Sequence, residues 1–171
     1  MIKVYIHQFL LLGLVLFAFT NRSQAQEEKF KAIFIYNFTK YINWPSKSGD
    51  FVITVLGSDP ITGEIESLAT KKTVGNSKIR VNKVNSPSDI GNCHIIYVSG
   101  GKSEILSQVA QKAKEFNILM ITDKQNACSL GAGINFINNG GKLTFEISKQ
   151  NIENCGLQIN STLLSLGKAV N

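Results

Sequence analysis

The sequence predicts an α/β fold: a single-domain sandwich with a mostly parallel sheet flanked by helices and an antiparallel C-terminal hairpin. Short apolar runs rich in β-branched residues alternate with amphipathic stretches of helical period, an order typical of βαβ units. Between the last two apolar runs lies an asparagine- and glycine-rich turn, which indicates a hairpin. The chain has 171 residues, of which 43% are hydrophobic. This composition suits one hydrophobic core and excludes disorder as the main state.

The first 25 residues are predicted to be a targeting segment and not part of the fold. Lys3 supplies the positive charge typical of the n-region of a signal peptide, and Phe9 to Phe19 is an uncharged apolar run of eleven residues. Ser23 and Ala25 then place small residues at the −3 and −1 positions of a signal-peptide cleavage site. The apolar run is shorter than a membrane-spanning helix requires. We therefore expect cleavage after Ala25 and an exported domain of residues 26–171, with an uncleaved anchor as the alternative.

The charge of the chain does not favour nucleic acid as a partner. The net charge is +6, and loss of Lys3 and Arg22 with the targeting segment lowers it by two, to +4. The basic residues between Lys71 and Lys83 have no aromatic residues among them, so a solvated face explains them better than a nucleic-acid site.

The domain is predicted to open with an amphipathic helix from Glu27 to Ile42, which Pro45 ends. Its apolar stripe is expected at Phe30, Ile33, Phe34, Asn37, Phe38 and Tyr41. Strands are predicted at Phe51–Leu56, Lys78–Lys83, His94–Val98, Ile118–Thr122, Ile134–Ile137 and Leu143–Ile147. Further helices are predicted at Ile61–Ala69, at Lys102–Phe116, at Asn151–Asn154, and from a cap at Ser161 to Val170. Residues 138–141 form the predicted hairpin turn.

Three cysteines remain after export into an oxidising compartment, which allows at most one internal disulfide. Cys93 opens an apolar run and is expected to be buried. Cys128 and Cys155 lie in polar, loop-like stretches and form a tentative pair, although three pairings are open and all three thiols can be free. One histidine and three cysteines without paired spacing do not predict a zinc site. No metal and no cofactor is expected.

A glycine-rich loop is the strongest candidate for ligand binding by the backbone. Ser99, Gly100 and Gly101 follow a predicted strand and open a predicted helix, which is the right context for an anion. A phosphate-binding P-loop needs a glycine five positions before Gly101, where Ile96 stands. The residues therefore favour a glycine turn with a helix N-terminus over nucleotide hydrolysis, and an anion on the loop amides remains a weaker possibility.

No catalytic residues are predicted. His94 lies in a hydrophobic strand, where a lone histidine is usually a hydrogen-bonded core group. His94, Ser99 and Asp123 could be combined into a triad, but the odd spacing of the first two places them on opposite faces of a strand. No serine stands in a Gly-x-Ser-x-Gly elbow. A small hydrolase is therefore the least favoured function.

An aromatic-rich segment near the start of the domain is the best candidate for binding a partner. Tyr36, Asn37, Tyr41 and Trp44 belong to it. Asn37 is the unusual member, because an amide on an apolar stripe needs hydrogen-bond partners. A structural role for Asn37 is favoured over contact with a ligand or partner. Tyr41 and Trp44 are candidate interface anchors if they are exposed.

The same segment, residues 31–40 followed by Asn43-Trp44-Pro45, resembles the opening signature of the YfiR-like periplasmic proteins. The likeness continues in order along nearly the whole domain. It includes FVITVLGSDP (51–60), CHIIYVS (93–99), GAGINF (131–136), LTFEI (143–147) and GLQINS (156–161). Each piece is short, but the ordered set is fairly specific.

This resemblance implies a small periplasmic α/β protein without known catalysis. In the best-understood relatives, the protein binds the periplasmic sensor domain of an inner-membrane diguanylate cyclase, which represses cyclic-di-GMP synthesis and biofilm formation. An outer-membrane lipoprotein that sequesters the repressor and a homodimer are further candidate partners. Some relatives use two disulfides as a redox switch, which three cysteines exclude here. The alternative function is a periplasmic small-molecule sensor, with its ligand near Gly57–Pro60 and Ser99–Ser103 at the carboxyl edge of the sheet.

Overall fold

The computed structural model describes residues 24–45, 49–57 and 59–170. Residues 1–23 of the predicted targeting segment lie outside this part of the chain, so the expected signal peptide stays a prediction. Among the described residues, no helix is both long enough and apolar enough to span a membrane.

The structure is an α/β sandwich, which confirms the predicted fold class. The helices are α1 (residues 24–38), α2 (Ile61–Ala69), α3 (Leu106–Phe116), α4 (Lys149–Asn154) and α5 (Ser161–Leu166). The strands are β1 (Ile42–Asn43), β2 (Phe51–Leu56), β3 (Thr73–Val74), β4 (Ser77–Val84), β5 (Ile95–Val98), β6 (Leu119–Thr122), β7 (Ile134–Asn139), β8 (Lys142–Ser148), β9 (Gln158–Ile159) and β10 (Lys168–Val170). Short 3-10 helices cover Pro87–Asp89, Gly100–Ile105 and Ala127–Leu130.

Eight of the strands form one sheet in the order β10-β8-β7-β6-β5-β2-β4-β3. Strands β4, β2, β5, β6 and β7 run parallel, and β8 returns antiparallel to β7. The central strands are buried apolar runs because helices cover a parallel sheet on both faces. Strand β4 alternates half-buried and exposed residues, as the sequence predicted.

The predicted hairpin joins β7 to β8. Its two central residues, Gly140 and Gly141, have φ values of 61° and 83°. Such positive φ values at both positions belong to the turn whose twist matches paired strands, and glycine adopts them without strain. Asn138 Oδ1 accepts a hydrogen bond of 2.9 Å from the Gly141 amide and closes the turn.

Helix α1 packs on the sheet face that carries Phe136 and Phe145. The Phe38 ring lies 4.9 Å from the Phe145 ring in an edge-on contact and 6.0 Å from the Phe136 ring. The neighbouring Glu146 points to the opposite face of the sheet, towards the 3-10 helix Ala127–Leu130. Its negative charge raises the pKa of Cys128 in that helix. The sheet therefore lies between α1 on one side and the 3-10 helix with α3 on the other.

The first helix differs from its prediction in length and in orientation. It ends at residue 38, and Ile42 instead begins β1, which pairs antiparallel with β9 in a separate two-stranded sheet. Its buried apolar residues are Ala32, Ile35 and Phe38. Phe30, predicted on the core stripe, is 46% exposed. The helix has apolar residues on more than one side, and packing against the sheet selects which side is buried.

Two other helices also differ from their predictions. The segment from Gly100 to Ile105 is 3-10, and α3 begins only at Leu106. The last helix ends at Leu166, after which Lys168–Val170 is a strand. A side chain on Gly167 would come within 2.5 Å of the Phe145 ring. The close approach of this backbone to Phe145 therefore ends α5 and starts β10.

The N-cap of α5 is Asn160, whereas Ser161 was the predicted cap. Asn160 Oδ1 accepts a hydrogen bond of 2.8 Å from the Thr162 amide. An asparagine with extended backbone angles satisfies one of the amides that the first turn of a helix leaves without a partner.

Candidate functional site

The carboxyl ends of β2, β5 and β6 form the edge at which an α/β sheet usually binds a ligand. From β2 the chain passes through α2 to β4 on one side, and from β5 it passes through α3 to β6 on the other. The direction of winding therefore reverses between β2 and β5, and a crevice opens outside the strands at such a point. This is the edge that the sequence indicated for a small-molecule sensor.

In the structure, side chains of the protein itself occupy this edge. Asp123, directly after β6, accepts hydrogen bonds from Lys31 Nζ at 2.9 Å, from the Tyr97 hydroxyl at 2.8 Å and from the Gly100 amide. Lys31 comes from α1, and only 5% of its side chain is exposed. It also contacts Glu28 Oε1 at 3.0 Å and Glu27 Oε1 at 3.2 Å. We call Lys31, Asp123, Glu28 and Tyr97 the edge cluster.

The ionisation of the edge cluster follows from its burial and its pairing. Burial would raise the pKa of Asp123, but the hydrogen bond and the charge of Lys31 outweigh burial and hold that pKa below its usual value. Burial would lower the pKa of Lys31, yet Asp123 and Glu28 raise it. Burial and the nearby carboxylate of Asp123 raise the pKa of Tyr97. The central pair is therefore charged, and the phenol remains a hydrogen-bond donor.

Glu28 is the member of the edge cluster whose hydrogen bonding is incomplete. Its Oε2 atom is buried and has no hydrogen-bond partner among the described residues. Burial raises the pKa of Glu28, Lys31 opposes the rise, and the charges of Asp59 and Asp123 add to it. A carboxylate in this position is destabilising at neutral pH, since burial of an unpartnered acceptor has a cost.

We expect Glu28→Gln to change the pH dependence of stability. The pKa of Glu28 in the folded state lies above its unfolded value of 4.5. Protonated Glu28 therefore contributes fully to the free energy of unfolding below pH 4.5, and this contribution is lost as pH rises through the folded-state pKa. The variant should therefore gain free energy of unfolding relative to wild type as pH rises above 4.5 through the folded-state pKa of Glu28, measured by urea denaturation. Asp123, whose pKa is held below its usual value, is ionised in both proteins over this range and adds no slope to the difference.

The control for this prediction is Glu66→Gln, which alters an exposed carboxylate paired with Lys83. Its free energy of unfolding should follow that of wild type at every pH. Parallel curves for Glu28→Gln and wild type would contradict the account of Glu28.

The glycine-rich loop takes part in the edge cluster instead of opening α3. The Gly100 amide donates to Asp123, and the Ser99 carbonyl accepts from the Lys102 amide at 2.9 Å. One of the amides expected to hold an anion thus already binds a carboxylate of the protein. A ligand role for Ser99, Gly100 and Gly101 stays a prediction. Among the described residues, no group of His, Cys, Asp and Glu side chains is arranged to hold a metal ion.

His94 and Trp44 stabilise the N-terminal end of β2. His94 Nδ1 accepts a hydrogen bond of 3.0 Å from the Val52 amide, and the ring stacks on Phe51 with 4.3 Å between centroids. Trp44 Nε1 donates to the His94 carbonyl at 2.9 Å, and its ring meets Phe51 edge-on at 5.1 Å. His94 is thus a hydrogen-bonded core residue, as expected. Trp44 is half-buried and its indole has a structural role, while its role in binding a partner stays a prediction.

The other residues of the aromatic segment lie nearer the surface. The Tyr36 hydroxyl donates to the Thr73 carbonyl at 3.3 Å, and Lys40 Nζ lies 5.0 Å above the Tyr36 ring. Asn37 Oδ1 accepts from Lys40 Nζ at 2.8 Å. Asn37 and Tyr41 also line a surface depression against β8 and α5. Their predicted role in binding a partner stays a prediction, and this depression gives it a place in the fold.

An open groove runs between α1 and the β7–β8 hairpin. It consists of two depressions of about 420 and 470 Å³ that share Phe34, Lys142 and Leu143. Phe30 lines one depression, and Leu166 of α5, which is 61% exposed, lines the other. We call this feature the α1–hairpin groove, with Phe30, Phe34, Leu143 and Leu166 as its apolar surface.

Neither the edge cluster nor the groove is predicted by the sequence patterns. Four residues of the predicted core stripe line the groove, and of these Phe34 and Tyr41 also pack against the core. The other two are Phe30 and Asn37. A signal for this was present, because Ala32, Ile35 and Phe38 form a second apolar series on the same helix. Because the core buries only one apolar stripe of a helix, the second stripe is available to line a groove.

Cys128 and Cys155 are not bonded to each other in the structure, so the tentative disulfide is not formed. Both thiols are buried. Cys128 lies in the 3-10 helix beside the start of α4, whereas Cys155 caps the other end of α4, where its carbonyl accepts from Asn117 Nδ2 at 2.9 Å. Burial, with the charge of Glu146, raises the pKa of Cys128 to about 12, and burial also raises that of Cys155. Neither thiol is activated for chemistry.

A comparison with protein families finds one match over this architecture. A family model described as YfiR/HmsC-like matches residues 28–168. The matched range includes most of α1, the edge cluster and nearly the whole sheet. No curated protein matches the chain.

Proposed function

Because the chain belongs to the YfiR/HmsC-like family of periplasmic regulatory proteins in cyclic-di-GMP signalling, we propose that it represses a membrane-anchored diguanylate cyclase. It does so by binding the periplasmic part of that enzyme after export by its signal peptide. The observation that carries this proposal is the α1–hairpin groove, which offers an apolar surface for another protein.

The exposed side chains of the groove support an interface. Phe30 and Leu166 are large apolar residues with 46% and 61% of their surface exposed, and Phe34 and Leu143 are half-buried between them. Single exposed apolar residues are common, but a contiguous apolar patch with a polar rim is typical of protein interaction sites. Aromatic residues at the centre of such a patch often carry most of the binding energy.

The repression would be thermodynamic. A protein that binds the inactive state of its target more tightly than the active state shifts the population towards the inactive state. A change from about 99% active to about 99% inactive needs about 5.5 kcal/mol of differential binding free energy. An outer-membrane lipoprotein that competes for the repressor would reverse the shift by mass action.

The sensor alternative has less support. Its expected binding edge is filled by the edge cluster, in which Lys31 and Asp123 satisfy each other. A small molecule there would have to displace a buried ion pair.

The experiment is an affinity purification of the tagged, exported protein from crosslinked cell envelopes, with proteins identified by mass spectrometry. Phe30→Asp and Leu166→Asp alter the groove, and Leu130→Asp alters a similarly exposed residue outside it (42% exposed). We expect wild type and Leu130→Asp to recover a membrane protein that carries a cyclase domain. The groove variants should recover at least about tenfold less, because an interface anchor is typically worth 2 kcal/mol or more.

Thermal unfolding of each variant checks that the chain remains folded. The proposal fails if no membrane signalling protein is recovered reproducibly with wild type. Recovery of a second copy of the chain alone would support a homodimer instead.

A further inference from the structure

The α1–hairpin groove has the length and openness of a helix-binding surface. Its lining residues on α1 extend from Gln26 to Phe38, which at 1.5 Å per residue is about 18 Å. This is the length of about three helical turns. The groove is open along its side and apolar along its base, and an amphipathic helix places anchors at i, i+3, i+4 and i+7 into such a surface.

A bound strand fits this surface less well. Strand β10 pairs with β8 only from Glu146 to Ser148, which leaves the outer edge of β8 from Lys142 to Phe145 without a strand. Gly167, however, lies against the Phe145 ring. An added strand would therefore pair with only the three residues from Lys142 to Thr144, which is the short end of the usual range of strand lengths.

The charges at the rim of the groove are basic. Lys142 lines both depressions and forms no ion pair with another described residue. Lys40 is exposed and contacts Asn37, which lines the groove. One acidic residue, Glu27, also lies at the rim, where it contacts Lys31 at 3.2 Å and accepts a hydrogen bond from Asn138 Nδ2 at 3.0 Å. Two lysines against this one carboxylate leave the rim with an excess of positive charge.

We propose that the α1–hairpin groove binds an amphipathic helix of the partner protein, with an apolar stripe against Phe30, Phe34, Leu143 and Leu166 and acidic residues beside Lys142 and Lys40. This inference deepens the proposed function and depends on it for the identity of the partner. The basic rim orients the helix and selects against basic segments, since complementary charge gives specificity.

The first test uses two hydrocarbon-stapled helical peptides of about fourteen residues, with the same leucine stripe. One has glutamate on both flanks of the stripe, and the other has lysine. Fluorescence anisotropy measures their binding to the exported protein. We expect the glutamate peptide to bind at least about tenfold more tightly, and Lys40→Glu combined with Lys142→Glu to reverse the preference.

Substitutions within the apolar surface complete this test. Phe30→Ser and Leu166→Ser should each weaken the glutamate peptide about tenfold or more, and Leu130→Ser should leave its affinity unchanged. Equal affinity for both peptides, or equal effects of Leu166→Ser and Leu130→Ser, would overturn the proposal. Circular dichroism melts of every variant identify a loss of folding.

A second test separates this inference from the proposed function. A photoreactive amino acid replaces Leu166 or Leu130 in the exported protein, and crosslinked peptides from native envelopes are sequenced by mass spectrometry. Crosslinks from position 166 to an acidic amphipathic segment of the membrane partner support the inference. A cyclase that crosslinks at position 130 alone would leave the proposed function standing and overturn the helix in the groove. Crosslinks from position 166 to a second copy of this chain, to residues 1–23 or to lipid would also overturn it.

Discussion

Lys31→Met is expected to cause one of the largest losses of stability that a single substitution can produce in this protein. The variant leaves the half-buried Asp123 and the buried Glu28 without their cation, and removal of one partner from a buried ion pair usually lowers the free energy of unfolding by about 3–5 kcal/mol. Domains of this size are stable by about 5–15 kcal/mol in total. Urea denaturation followed by far-UV circular dichroism measures the loss.

An exposed ion pair provides the matched control. Arg80 Nη2 lies 2.7 Å from Asp50 Oδ2, and 65% of the Arg80 side chain is exposed. Arg80→Met should change the free energy of unfolding by no more than about 1 kcal/mol. Replacement of Asp123 by Asn in the Lys31→Met background should recover part of the loss, because it removes one unpaired charge. Equal losses for Lys31→Met and Arg80→Met would contradict the role assigned to the edge cluster.

Removal of the protein from its cells is expected to have the second large effect, a severalfold rise in cellular cyclic-di-GMP. A repressor that shifts its cyclase from mostly active to mostly inactive contributes about 5.5 kcal/mol of differential binding, and its loss releases that constraint. A groove variant that binds about tenfold more weakly should raise the concentration part of the way towards that of the deletion strain, because a tenfold loss is about 1.4 kcal/mol of this difference. Mass spectrometry of cell extracts measures the dinucleotide.

The edge cluster and the groove are linked through α1. Lys31 holds this helix against the carboxyl edge of the sheet, while Phe34 and Phe38 of the same helix pack against Phe145 and line the groove. The geometry of the groove therefore depends on the ion pair of Lys31 and on this aromatic cluster.

The strands could be predicted from the sequence because their signals are local. Strand β2 begins at Phe51 and ends at Leu56, as predicted, since an apolar β-branched run stops there before a glycine turn. The hairpin was equally accessible, because Gly140 and Gly141 encode its turn directly. Each of these elements depends on residues within a few positions of one another.

The remaining features depend on distant residues and could not be predicted in this way. Lys31 and Asp123 are 92 positions apart, and no spacing in the sequence pairs them. The side of α1 that is buried depends on the shape of the sheet it meets, so periodicity alone assigned Phe30 to the core. The end of α5 depends on how closely Gly167 approaches Phe145, a contact between separate elements.

The candidate interface could therefore be predicted only in part from the sequence. Asn37 and Tyr41 were chosen for the aromatic density around them, and both line the groove. Trp44 belongs to the same aromatic segment, and its hydrogen bond to the His94 carbonyl gives it a structural role in addition to the predicted one. Leu166 was expected inside a longer helix and became visible as an exposed apolar residue only in the folded chain.

The most direct test of the central claim is the cellular concentration of cyclic-di-GMP in a deletion strain complemented with wild type, Leu166→Asp or Leu130→Asp, at matched protein levels. A regulator that acts through the groove predicts a low concentration with wild type and with Leu130→Asp, and a clearly higher concentration, between those of wild type and the deletion strain, with Leu166→Asp. The same concentration in the deletion strain and in the strain complemented with wild type would contradict the claim.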